Sequence, residues 1–202
     1  DGIRDVAVTG VQTCALPILD AIEFLSYPFV RAIKGNHEIM FLDLFDGQTL
    51  NTKLLSEYQS QQGLFTWVKE ATLAELQKLR NAILQLPTAR EVQTSRGLVG
   101  FVHADVPQGW SWEEFKNSVL EHNKPLLNYA VWNRTRVENS IDTGVKGVGR
   151  LFVGHTVVKS VHKLGNVYYM DTGSTFRELY PNEDLKLTMA NIVTATQAFS
   201  AP

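Results

Sequence analysis

Short apolar, β-branched runs alternate along this chain with amphipathic stretches, and most of the runs end in a polar turn. The run at 29–33 reads as a buried strand feeding the turn Lys34-Gly35-Asn36, and 38–45 reads as a helix. Thr72 and Glu75 form a capping box, after which Leu76, Leu79, Ile83 and Leu86 recur at helical spacing until Pro87 stops them. The run at 98–102 predicts a second strand, ending at His103 before a loop marked by Pro107 and Gly109; Ser111 and Glu114 then open another helix. The runs at 151–153 and 167–170 predict two more strands, ending in Gly154-His155 and in Asp171-Thr172-Gly173. Alternation through Leu185, Leu187 and Met189 suggests a fifth.

Asn36, His37, His103, His155 and Asp171 therefore all stand where an apolar run gives way to a polar turn. In layered α and β folds such strand ends gather on one rim, where residues far apart in sequence converge on a ligand. No repeat or low-complexity stretch interrupts the pattern.

The first eighteen residues are set apart. DGIRDVAVTGVQTCALPI lacks the charged start and apolar core of a secretory signal, and it reads as neither helix nor strand. Back-translation of Asp1 to Asp5 and of Val8 to Ile18 yields strings that resemble a short-read sequencing adapter, with Val6 and Ala7 where a variable index would lie. On this reading 1–18 is an assembly artefact, the native sequence starts at Leu19, and 19–202 is one domain. Cys14, the one cysteine, goes with the artefact, so thiol chemistry and internal disulfides are set aside.

Lys plus Arg number 19 against 21 Asp plus Glu, a net charge of −2, which argues against a general nucleic-acid binder. No apolar run is long enough to span a bilayer as a helix, and the expectation is a soluble, cytoplasmic protein without a membrane partner.

The candidate chemistry follows from the turns. Asn36 offers a hard oxygen ligand and His37 a proton donor; His103 and His155 add two imidazoles, with Gly154 allowing close backbone approach. Nitrogen and oxygen donors without thiolate suit manganese, iron or zinc, and the set is incomplete for a closed structural site. Trp67, Trp110 and Trp112 read as packing residues in preference to a substrate surface, and Trp132 as packing beneath Arg134. Arg136 reads as a solvated charge, and His122 and His162 as surface or structural residues.

Five ordered segments, KGNHE at 34–38, FVHADVP at 101–107, VWNRTR at 131–136, FVGHT at 152–156 and YYMDTGSTF at 168–176, resemble the phosphoprotein phosphatases. These belong to the calcineurin-like metallophosphoesterases, and the likeness is to their small phage and bacterial serine/threonine type. The resemblance implies an α+β fold, a β-sandwich flanked by helices (αββα). It implies two divalent cations, manganese first with iron or zinc as alternatives, about 4 Å apart to lower the pKa of a bridging water. Asn36, His103 and His155 would ligate the second cation, His37 would protonate the leaving alkoxide, and Arg134 would bind phosphate through its planar fork. Glu38 and Asp171 would orient His37 or a ligand.

The resemblance departs in two places. The family's GDxHG and GDxxDRG segments, which carry the first cation's ligands and another phosphate-binding Arg, are absent, so the chain lacks the first strands and is expected to hold at most one ion. Exposed strand edges and poor solubility would follow. Lys34 stands where the family usually has Arg, which puts a bidentate contact in doubt. The expected substrate is a phosphoprotein or phosphopeptide. The alternatives are a symmetrical diadenosine tetraphosphate hydrolase and a catalytically silent metal- or phosphate-binding half-site.

Overall fold

The computed structural model describes residues 6–7, 18–62, 64–120, 123–177, 180–195 and 197–199. In chain order these form β1 (Val6–Ala7), α1 (Ile18–Ser26), α2 (Asn36–Leu44), α3 (Thr52–Gln62), a 3-10 turn (Thr66–Lys69) and α4 (Leu73–Gln85). Next come β2 (Ala89–Thr94), β3 (Gly97–Val102), α5 (Trp112–Leu120), α6 (Lys124–Trp132) and α7 (Thr135–Glu138). The last stretch holds β4 (Arg150–Val153), β5 (His162–Leu164), β6 (Val167–Tyr169), a second 3-10 turn (Ser174–Phe176), β7 (Thr188–Asn191) and β8 (Gln197–Phe199).

The architecture is α+β, with a central mixed sheet flanked by helices. Five strands run in the order β2-β3-β4-β6-β5, and a smaller sheet runs β1-β7-β8. The middle of the larger sheet is parallel: Phe101 of β3 pairs with Phe152 of β4, which pairs with Tyr168 of β6. β2 and β5 close the edges antiparallel.

Alternation along the central strands gives the sheet two buried faces. Val99, Phe101 and Phe152 pack with Met170 and with Ala190 and Ile192 from the smaller sheet's side. Val102, Leu151, Val153, Val167 and Tyr169 face the opposite way, onto Trp112, Phe115, Leu126, Ala130 and Val131 of α5 and α6. Removing a side chain such as Phe115 from water stabilises the fold by about 1.5–3 kcal/mol. A third cluster, Phe41, Leu44, Phe45, Leu55, Val68, Leu76 and Ile83, binds α2 to α3 and α4 and so fixes the helix that begins at Asn36.

Both expected capping boxes form. Thr72 accepts from the Glu75 N–H at 3.3 Å while Glu75 accepts from the Thr72 N–H at 2.8 Å; Ser111 and Glu114 repeat the exchange at 3.2 and 2.7 Å. Trp112 is 1% exposed and donates to Glu91 at 2.6 Å, and Trp67 stacks on Phe41 at 5.9 Å, which makes both packing residues.

Three expectations need correction. Residues 29–33 form no strand, because they lack a ladder partner: the Lys34 N–H donates to the carbonyl of Pro87, just ahead of β2, at 2.9 Å, and Nε of Arg90, on β2, donates from its side chain to the Ala32 carbonyl at 2.9 Å. Val6 and Ala7 do form a strand, paired with Asn191 and Ala190, since the outer edge of β7 offers free backbone groups to any extended segment. Ile18 likewise opens α1. The rest of the stretch 1–17, and His122, lie outside the described residues. The alternation near the C-terminus becomes β7 only from Thr188, with Lys186 reaching Thr172 and Gly173 through isolated bridges.

Candidate active site

His103 directly follows β3, His155 follows β4 by one glycine, and Asp171 lies two residues past β6. Because these strands are parallel neighbours, the three turns leave the sheet on the same rim. The turn between α6 and α7 brings Arg134 to that rim, and the first turn of α2 brings Asn36, His37 and Glu38.

His103 and Asn36 meet although 67 positions separate them: His103 Nε2 lies 2.8 Å from Asn36 Oδ1. The His103 and His155 rings stand 5.1 Å apart between centroids, and Trp132 meets the His155 ring edge-on at 5.5 Å. Trp132 thus packs on His155, where the sequence pointed to Arg134. Arg134 is exposed and donates to the His155 carbonyl at 3.4 Å.

Gly35 explains how the His103 ring comes so close to the start of α2. A Cβ there would stand 2.8 Å from His103 Cε1 and Nδ1 and 3.0 Å from Glu38 Oε2. Glu38 itself accepts from the Gly35 N–H at 2.7 Å, closing the N-terminus of α2, so its carboxylate is engaged with backbone. Asp171 similarly accepts from the Gly173 N–H at 2.9 Å. His155 sits at φ +63°, a left-handed conformation that costs a non-glycine residue energy and persists where surrounding contacts impose it. Here the Gly154 N–H donates to the His103 carbonyl at 2.8 Å and ties the two histidine turns together.

The electrostatics join the same residues. Burial, then His155, His37 and Arg134, push His103 down to about 3. Burial, then Arg134, push His155 down to about 4, with His37 adding to the effect and a bond to the Trp132 backbone opposing it. Burial lowers His37 and Lys34, and raises Glu38 against the Gly35 N–H. Burial also raises Asp171, against the Gly173 N–H and Arg134. At neutral pH His103 and His155 are neutral imidazoles with lone pairs to offer.

One atom shows what they could hold. His155 Nε2 is buried with no hydrogen-bond partner, and the Trp132 backbone engages the other ring nitrogen, which leaves the Nε2 lone pair free. Asn36 Oδ1, His103 Nε2 and His155 Nε2 fit part of one divalent cation's shell. Among the described residues no three His, Cys, Asp or Glu gather as a metal site, and Asn36 joins the two histidines as an amide donor.

Sequence reasoning missed one pair. Arg136, expected in solvent, is 3% exposed, and its Nε donates to both oxygens of Asp105 at 3.0 Å. The signal lay in the two motifs themselves, HAD and NRTR, but nothing local links them. His162 is exposed on β5, as expected.

No family model matches the chain. Among curated proteins it is similar to serine/threonine-protein phosphatase 1 of Salmonella typhimurium, 27% identical over 169 residues, covering 78% of this chain and 67% of that protein. Phosphatase 2 of the same organism is 27% identical over 160 residues, and that of Escherichia coli 26% over 162; each comparison covers 77% of this chain and 67% of the relative. Among solved structures a cold-active protein tyrosine phosphatase overlaps 84% of this chain and 57% of its own at 14% identity, with a TM-score of 0.40, too loose a likeness to carry an argument. The chain spans about two thirds of the length of the curated relatives it matches. Among the described residues no helix is long and apolar enough to cross a membrane. The likeness supports phosphatase function in general: the chain is similar to bacterial serine/threonine-protein phosphatases, consistent with the phosphoprotein phosphatase family its motifs resemble.

Proposed function

We propose that this chain carries the phosphate-handling half of a metal-dependent phosphomonoesterase acting on phosphoserine or phosphothreonine in proteins. The reading is supported by the free Nε2 lone pair of His155, buried beside His103 and Asn36 with Arg134 at the mouth. Asn36, His103 and His155 would hold a divalent cation, with manganese, iron or zinc suiting the donor set. The cation would supply charge neutralisation at the phosphoryl oxygens and a water of lowered pKa.

The chain's own residues do the rest. Arg134 holds the phosphate dianion through two parallel N–H bonds. His37 gives its proton to the departing serine or threonine oxygen; burial, which lowers its pKa, makes the imidazolium the readier donor. Glu38 acts at one remove, by closing the helix turn that carries Asn36 and His37, and Asp171 by holding its own loop at Gly173. The names of the curated relatives favour a phosphoprotein over a diadenosine tetraphosphate.

The engagement of Glu38 and Asp171 with backbone N–H groups, which leaves Asn36, His103 and His155 as the cation donors named at this rim, favours a second reading, a half-site that binds a cation and phosphate without turning over. Manganese titration with a phosphoserine-peptide assay separates them. Two ions per chain and phosphate release support the enzyme; one ion and no release support the half-site. For the enzyme, His37→Ala should slow turnover about 100-fold or more while manganese stoichiometry holds. Equal rates in the two proteins would remove His37 from the reaction.

A further inference from the structure

Arg134 must be held still to be useful, yet little around it does so. It is exposed, its one side-chain bond among the described residues is the 3.4 Å contact with the His155 carbonyl, and it precedes a helix of only four residues. Of that helix, Val137 packs partly against the core. What fastens the segment is Arg136, two positions on. Its Nε reaches both oxygens of Asp105 at 3.0 Å, its Nη2 donates to the Val106 carbonyl at 3.1 Å, and its Nη1 donates to the Thr143 carbonyl. Asp105 is 1% exposed and also accepts from the Val106 N–H at 2.7 Å.

These bonds connect particular places. Asp105 lies two residues beyond His103, and Arg136 two beyond Arg134. The guanidinium bonds on either side of it, to Val106 and Thr143, leave the short helix little freedom to slide or rotate. His103 has other anchors: the Ala104 N–H donates to Ala130 and the Gly154 N–H to the His103 carbonyl, both at 2.8 Å.

We propose that Asp105 and Arg136 are positioning residues, a buried ion pair that sets the phosphate-binding guanidinium of Arg134 in register with the cation-binding turn at His103. The proposal rests on the reading of Arg134 as the phosphate contact. A buried pair of this kind is a poor source of stability, because removing two charges from water offsets most of their attraction, and apolar replacements of similar volume are often neutral. Its rigid, directional geometry is what apolar groups do not reproduce.

The test uses the whole chain, inorganic phosphate and Mn²⁺, with calorimetric titration of each ligand and a thermal melt. Asp105→Leu combined with Arg136→Met removes both charges together. The expected result is a folded protein with a lowered melting temperature, because the Val106 and Thr143 backbone groups lose their partners, with Mn²⁺ affinity unchanged and phosphate bound about tenfold more weakly, the loss of one well-placed charged hydrogen bond. Should that variant not fold, Arg136→Lys keeps a charge beside Asp105 but loses the fork, and the same split between the two ligands is expected.

Wild-type phosphate affinity in a folded variant overturns the proposal, and so does a parallel loss of phosphate and Mn²⁺, which would mark a merely structural pair. Arg134→Ala is the reference. If it weakens phosphate binding while the double variant does not, the register proposal alone fails. If wild-type phosphate binding is absent or indifferent to Arg134→Ala, the assignment of Arg134 fails and the proposal falls with it.

Discussion

Gly35→Ala tests whether the approach of His103 to the start of α2 matters. The backbone at Gly35, with φ −107°, suits any residue, so the effect of a methyl group is steric alone. The new Cβ would lie 2.8 Å from His103 Cε1 and Nδ1, where ordinary contact begins at 3.4 Å, so something must yield by about 0.6 Å. The ring has little room: its Nε2 is bonded to Asn36 at 2.8 Å, and His155 lies across it. Overpacking of this kind costs about 1–3 kcal/mol. At about 2–4 °C per kcal/mol for a domain of this size, the melting temperature should fall measurably. The larger effect should be on Mn²⁺ affinity, lower by about 10–100-fold, as when the support of a ligand histidine is disturbed. Gly109→Ala is the control: at φ +85° with nothing within 4 Å of the added Cβ, it strains the backbone without approaching the site. A Gly35→Ala protein that binds Mn²⁺ as wild type does would refute the reasoning, whatever its melting temperature.

Thr72→Ala removes the hydroxyl that accepts from the Glu75 N–H, and should lower stability by about 1 kcal/mol in a denaturant titration, while leaving Mn²⁺ binding intact. Glu91 is held below its ordinary value of 4.5 by Lys116 and, more weakly, by the Trp112 indole N–H. Its contribution is therefore present above about pH 4.5 and is lost as pH falls through the lower folded value. The stability gap between wild type and Glu91→Gln should accordingly shrink on acidification, and a gap constant between pH 5.5 and 3 would show the shift to be absent.

Local signals were read well where local physics decides. The Thr72 and Ser111 capping boxes involve atoms three residues apart, and the turns after β3, β4 and β6 follow runs that only a buried sheet would accommodate. Residues 29–33 look the same to a local reading but lie ahead of β2 without a ladder, because strand formation is settled by a partner and not by composition. Arg136 fails for the same reason. An arginine in a polar loop belongs in water unless a carboxylate waits for it, and Asp105 is 31 positions away. Trp132 could not be assigned to His155 before α6 was placed beside the turn after β4. Donor types at strand ends follow from sequence, whereas their mutual distances depend on strand order.

The resulting site supplies lone pairs more than charge. Burial keeps His103 and His155 neutral at pH 7, and Glu38 and Asp171 are committed to backbone N–H groups. Arg134 is the exposed cation among these rim residues, and one arginine at a wet surface attracts a dianion only modestly. A divalent cation on Asn36, His103 and His155 would change this, because its charge would lie among low-dielectric walls where screening is weak. Cation and phosphate should therefore bind cooperatively, each raising the other's affinity by the same factor as linkage requires. The coupling depends on distance, and distance depends on Arg134 keeping its place relative to His103. An ion pair that adds little to stability can still determine how strongly two ligands feel each other, which gives a buried Asp105 and Arg136 a use that the stability of the fold alone does not demand.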